Sequence, residues 1–303
     1  MSRATRLAPI ALFVYGRPLH TQRTLDALAA NDWANESDLI VYADGPRDAT
    51  DVDNVQEVRK IIGRAKGFAN VRLVGRDRNL GLAENIISGV TEICARYGRA
   101  IVLEDDIVTG PGFLAYMNAA IKMYQDADEV ASISGYSFPT ENTLPPTFFS
   151  RLSTSWGWAT WRRAWSRFEA DGAMLLHQLK SARKTYAFDH DGSYPFTKML
   201  EDWCAGRNSS WAIRWYASNF LEDKLTLFPG QPLVENIGYD GTGTHCGNNS
   251  DFKTRVKEWR GPLKRVAVQE LQVGRQEIRR FFMASSRVSV RWRLRSQLRQ
   301  LVP

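Results

Sequence analysis

Short, continuous apolar runs recur through the first third of the chain, and each is closed by a glycine, a proline or an acid. Residues 10–15 (Ile-Ala-Leu-Phe-Val-Tyr) stop at Gly16-Arg17-Pro18, and residues 39–43 stop at Asp44-Gly45-Pro46. Residues 71–75 lead into a polar stretch ending in Asn79-Leu80-Gly81, and residues 100–103 run straight into Glu104-Asp105-Asp106. Runs of this length without polar alternation mark strands buried on both faces. Between them the period lengthens: Leu25, Leu28 and Ala29, then residues 55–62, then Ile86, Ile87, Val90 and Ile93 ahead of Gly98, fall at helical spacing. The alternation predicts an α/β protein built on a mostly parallel, doubly wound sheet, a Rossmann-like arrangement whose ligands bind beyond the carboxyl ends of the strands.

Further along, residues 113–124 predict a helix, 130–134 a strand and 139–146 a loop rich in Thr and Pro. The Trp-rich stretch from Trp156 leads into a helix reaching Phe168, and residues 225–228 and 233–237 read as a strand pair separated by Pro229-Gly230. A glycine-rich loop, 238–247, follows. These elements predict one catalytic domain over residues 1–250, with a nucleotide-binding half at about 9–130 and an acceptor-side half at 131–250, and a basic C-terminal extension at 251–303.

Composition narrows the classes. With 303 residues, 44% hydrophobic and 24% charged, the chain is neither disordered nor fibrous. Its net charge of +7 asks for an anionic partner. Eight arginines fall between Arg275 and Arg299, with Glu277 as the one nearby acid and with Phe281, Phe282 and Trp292 interleaved. Such a segment either lies on an anionic membrane surface or packs on the catalytic domain with its arginines solvated. Cys94, Cys204 and Cys246 are widely spaced and suit a reducing cytoplasm. No apolar run approaches the ~20 residues that span a bilayer. The expected location is therefore the cytoplasm, with the tail peripheral at the inner face of the cell membrane, and nucleic acid is not an expected partner.

Three consecutive acids at the end of a buried strand repel one another unless a cation arrives. Hard oxygen ligands suit Mg²⁺ or Mn²⁺ together with a phosphate group. Arg17, Asp44 and Asn79 fall at neighbouring strand ends, which would gather them around the same point. The glycine-rich loop has no Walker spacing and no lysine after it, so a P-loop is excluded.

The series Phe13 to Pro18, Tyr42-Ala43-Asp44-Gly45, Arg76 to Gly81, Val102 to Asp106 and Gly157-Trp158 resembles nucleotide-sugar glycosyltransferases of the A-type fold, most closely the N-acetylglucosaminyltransferase I group and its bacterial family-2-like relatives. The resemblance implies a sugar transferred from a nucleotide diphosphate donor, a UDP-sugar, with inversion, to a hydroxyl of a glycan or lipid-linked acceptor in bacterial polysaccharide or glycolipid synthesis. It assigns Arg17, Asp44 and Asn79 to the nucleotide, Glu104 and Asp105 to the donor's sugar or ribose, and Asp106 to the metal. Two carboxylates compete for the general base, Asp202 in Glu201-Asp202-Trp203 and Asp240 in the glycine-rich loop. His245 is a further metal or diphosphate contact, and Arg214, with the aromatic segments 157–161 and 211–215, stands on the acceptor side. Two alternatives stay open: a nucleotidyltransferase making sugar nucleotides, and a glycan- or lipid-binding protein without turnover.

Overall fold

The computed structural model describes residues 7–241 and 251–285. Its first seven elements follow the predicted order: β1 (Ile10–Val14), α1 (Pro18–Ala29), β2 (Asp38–Ala43), α2 (Val52–Gly63), β3 (Asn70–Gly75), α3 (Leu82–Tyr97) and β4 (Arg99–Glu104). Pro18 opens α1, where a missing N–H costs nothing, and Gly98 closes α3 in the left-handed conformation, its N–H on the Cys94 carbonyl. The remaining elements are β5 (Ile107–Thr109), α4 (Phe113–Met123), β6 (Val130–Ser134), β7 (Thr147–Ser150), β8 (Trp158–Trp161), α5 (Arg162–Trp165), α6 (Gly172–Ser181), α7 (Thr185–Phe188), α8 (Phe196–Cys204), α9 (Trp211–Leu221), β9 (Leu225–Pro229), β10 (Val234–Asn236) and α10 (Gln272–Ala284).

The central sheet has eight strands in the order β3-β2-β1-β4-β8-β6-β9-β7. From β3 to β4 every pairing is parallel. β8 then enters antiparallel to both β4 and β6, β9 pairs parallel with β6, and β7 closes the far edge antiparallel to β9. Strand alternation divides the core in two. Ile10, Leu12 and Val14 of β1 face the cluster that takes in Leu25, Leu28, Val58 and Ile62 from α1 and α2, while Ala11 and Phe13 face Ile86, Val90 and Ile93 of α3 with Trp211 and Trp215 of α9. Helices thus cover both faces, as the unbroken apolar runs require.

Two expectations change. Residues 225–228 and 233–237 do not pair with each other: β9 lies in the main sheet, whereas β10 pairs antiparallel with β5 in a separate two-stranded ribbon. Residues 158–161, expected to precede a helix within a Trp-rich irregular stretch, form a fully buried strand. Residues 251–285 pack on the domain, one of the two arrangements open for the basic segment. Leu271 N–H donates to the Phe149 carbonyl at 2.9 Å, and Phe252, Ile278 and Phe282 are buried in the main core. The described part of the predicted membrane-facing segment is therefore packed against the domain, with Arg275 paired to Asp191 and Glu270. Residues 286–303 and the arginines they carry lie outside the described residues.

Candidate functional site

The parallel strands β1 and β4 are neighbours, so the residues that follow them meet in space. Arg17, at the mouth of α1, reaches Asp106 Oδ2 with Nη2 at 2.8 Å, and the same nitrogen is paired with Asp105. Both carboxylates are buried. Thr24 Oγ1 donates to the Asp105 carbonyl at 2.8 Å, tying the acidic turn to α1. Burial opposes the charge on Arg17, but Asp105 and Asp106 more than offset it and hold the guanidinium protonated. Burial raises Glu104 and Asp105 above the usual carboxylate range; the neighbouring acids add to the shift, and Arg17 limits it. Asp105 and Asp106 share one cation, which leaves the pair electrostatically short of positive charge.

The β5–β10 ribbon brings the loop after β10 onto this cluster. Ile237 N–H donates to the Asp106 carbonyl at 2.9 Å, and Gly238 N–H donates to Asn236 Oδ1 at 2.8 Å. Gly238 packs so closely that a Cβ there would collide with Asp106 Oδ2 and lie 3.1 Å from both Arg17 Nη1 and Asn236 Oδ1. Further along the loop, Asp240 Oδ2 stands 3.0 Å from His20 Nε2, one helical turn beyond Arg17 on α1. Tyr239 meets Trp156 edge-on at 5.7 Å between ring centroids.

Asp44 and Asn79 form the next strand-end pair. The Asp44 carboxylate accepts from the N–H groups of Gly45, Leu80 and Gly81 at 2.8 to 3.0 Å, and Asn79 Nδ2 donates to the Gly45 carbonyl at 2.8 Å. Gly45 is required by this closeness, since a Cβ would collide with the Arg78 backbone. Asp44 therefore staples the β2 turn to the start of α3. Beside β1, Arg47 lies over the Tyr15 ring at 5.6 Å and bonds Asp51 at 2.8 Å.

Other predicted residues stand elsewhere. Asp202, on α8, is paired with Lys198 and Arg207, which depress its pKa, and its side chain touches no member of the Arg17 cluster among the contacts described. Two bound cations make it a weak proton acceptor. Arg214, expected on the acceptor side, donates to the carbonyls of Ala170 and Ser210, with its guanidinium 4.8 Å from the Trp203 ring and 5.6 Å from Phe168. Trp158, Trp211 and Trp215, expected on the acceptor side, are buried against one another, with Trp158 stacked on Trp211 at 5.4 Å. Of the aromatic group, Trp156 alone is half-buried beside the loop of Tyr239. His245 lies outside the described residues. Sequence reasoning missed His20, Thr24 and Asn236; the i, i+3 spacing of Arg17 and His20 on α1 was the available signal for the first.

Among the described residues, no three His, Cys, Asp or Glu side chains converge as a metal cage. Asp105 and Asp106 nonetheless aim at one cationic point, and two carboxylates completed by phosphate and water oxygens are a donor set that suits Mg²⁺ or Mn²⁺. The residues present fit a divalent ion shared with a diphosphate.

No family model matches the chain, and no curated protein matches it. Among solved structures it is similar to the mannosyltransferase PcManGT from Pyrobaculum calidifontis in complex with GDP-Man and Mn²⁺, at 12% identity over 73% of this chain and 72% of that one, with a TM-score of 0.38. It is also similar to S. aureus TarS, at 14% identity over 52% of this chain and 28% of that one, with a TM-score of 0.35.

Proposed function

We propose that the chain is a glycosyltransferase that binds a nucleotide diphosphate sugar at the carboxyl ends of β1 and β4. One observation carries the reading: two buried carboxylates and a half-buried arginine converge beneath a close-packed glycine loop, at the carboxyl ends of parallel strands where such folds bind ligands. Asp106, with Asp105 beside it, would hold Mn²⁺ or Mg²⁺. That ion, when bound, offsets the charge that builds on the departing diphosphate.

The chain's own residues supply the rest. Arg17 offers a planar fork to phosphate oxygens. In an inverting transfer the acceptor oxygen attacks the anomeric carbon as the bond to the diphosphate breaks, and the hydroxyl proton passes to a base. We assign that base to Asp240, on the loop after β10 with its Oδ2 3.0 Å from His20 Nε2 of α1, in preference to Asp202, whose carboxylate is held by two cations. Tyr239 and Trp156 offer aromatic surface next to Asp240, suited to the apolar face of a sugar. The donor is assigned as a UDP-sugar and the acceptor as a glycan or lipid-linked hydroxyl on the family resemblance. The arginine-rich residues 286–303 would serve at an anionic membrane surface. No helix among the described residues is long and apolar enough to cross a membrane.

The test is a panel of UDP-, GDP- and dTDP-sugars incubated with the protein and Mn²⁺ or a chelator. Metal-dependent release of one nucleoside diphosphate supports the reading. Formation of a nucleotide sugar from a nucleoside triphosphate and a sugar 1-phosphate would mark a nucleotidyltransferase instead. Absence of both donor binding and turnover across the panel overturns it.

A further inference from the structure

We propose that Arg17 is the resident counter-ion of this site, standing where a divalent cation would stand and yielding to it when metal and donor arrive. The inference rests on the glycosyltransferase reading and concerns what the arginine does within it. The geometry is unusual for arginine. A guanidinium normally meets carboxylates as a fork, with two nitrogens on two oxygens. Here one nitrogen, Nη2, bridges Asp105 and Asp106, which is how a point charge serves two carboxylates. Nη1 is buried and has no hydrogen-bond partner among the described residues, although it points into the space beside Gly238 and Asn236.

A buried donor left unpaired is unfavourable. The resting arrangement therefore satisfies the acids at the expense of the arginine. A divalent ion between the same carboxylates carries twice the charge in a smaller radius. Once displaced, the guanidinium regains both nitrogens for a fork on diphosphate oxygens, the geometry that arginine suits better than lysine. Metal and arginine then compete for the acids, whereas metal and nucleotide cooperate, because the nucleotide takes up the arginine that the metal releases. That sign pattern separates a counter-ion from a residue that merely adds to donor affinity.

The full-length protein and its Arg17→Gln and Arg17→Lys variants are titrated calorimetrically with MnCl₂ alone and with UDP in the presence of MnCl₂, and their thermal unfolding is followed in EDTA and in MnCl₂. Arg17→Gln is expected to bind Mn²⁺ alone about tenfold more tightly than the wild type, and to bind UDP with Mn²⁺ about tenfold more weakly. It should melt below the wild type in EDTA and recover when MnCl₂ replaces the lost charge, whereas the wild-type melting temperature should respond to MnCl₂ chiefly when UDP is also present. Arg17→Lys keeps the charge without the fork and should fall between the two, which keeps the comparison available should the glutamine variant not fold. Equal or weaker Mn²⁺ binding in the folded variants, with normal Mn²⁺-dependent UDP binding by the wild type, overturns the counter-ion role alone. Failure of the wild type to bind Mn²⁺ or UDP overturns both that role and the donor-site reading.

Discussion

The strand-end cluster and the paired charges of the helical half formed by α6 to α10 stand in contrast. At the ends of β1 and β4, Asp105 and Asp106 share one nitrogen of one arginine, and that arginine keeps an unpartnered nitrogen. In the helical half, Arg275 is answered by both Asp191 and Glu270, Arg214 by two carbonyls and two rings, and Asp202 by two cations. Charge that is fully answered holds structure together. Charge left short marks the place where a ligand completes the count. Substitutions in the two regions should therefore separate activity from stability.

The strongest challenge to the contrast is Asp106→Asn. The change keeps shape and removes one negative charge from an overfilled cluster, so thermal stability should hold or rise. Donor turnover should fall about a thousandfold, roughly 4 kcal/mol in the transition state. Calorimetry with UDP and Mn²⁺, alongside thermal unfolding, measures both. Unchanged donor affinity together with a marked loss of stability would place Asp106 with the structural ion pairs.

Trp215→Ala probes the other side. Trp215 is 1% exposed, with Trp165 at 5.1 Å and Trp158 at 5.9 Å between ring centroids. Its removal should cost about 3–5 kcal/mol in urea unfolding. A selective rise in acceptor KM without that loss would place Trp215 in an acceptor-binding surface.

Asp240→Asn and Asp202→Asn form a matched pair. The first should lower kcat by about a hundredfold with donor affinity intact, as loss of a general base does. The second should change kcat less than about twofold, since a surface carboxylate between two cations contributes little. The reverse order would move the base to α8 and dissolve the distinction between the two regions.

Much of this contrast was legible before the structure. Strands β1, β2 and β4 announced themselves because both their faces are buried, and the strand-end rule then placed Arg17 beside Glu104, Asp105 and Asp106. β8 was missed because Trp158–Trp161 is short, aromatic and flanked by more tryptophan, leaving no period to read. The β5–β10 ribbon was missed because its partners are more than a hundred residues apart, and local pattern carries no pairing information. Asp202 and Arg214 show the same limit at the level of side chains. An acid-acid-Trp run looks alike whether its carboxylate faces a substrate or Lys198 and Arg207.

The smallest predicted effect concerns pH and falls in the helical half. His190 is buried against α10, with Nε2 3.0 Å from the Arg275 carbonyl oxygen, and faces Arg275, Asp191 and Arg279. Burial first, and then the charges of Arg275 and Arg279, push its pKa down to about 4, with Asp191 opposing. The ordinary histidine value is about 6.5, so between those two values the unfolded chain takes up a proton that the folded chain refuses. The stability His190 contributes is therefore whole above that window and is lost as pH falls through it, by about 2 kcal/mol on reaching pH ~5. Urea unfolding between pH ~8 and ~5 should show this slope in the wild type and a shallower one in His190→Gln, whatever the variant's baseline stability. Identical slopes would mean that the helical half also carries an unanswered charge, and that shortage of countercharge does not single out the donor site.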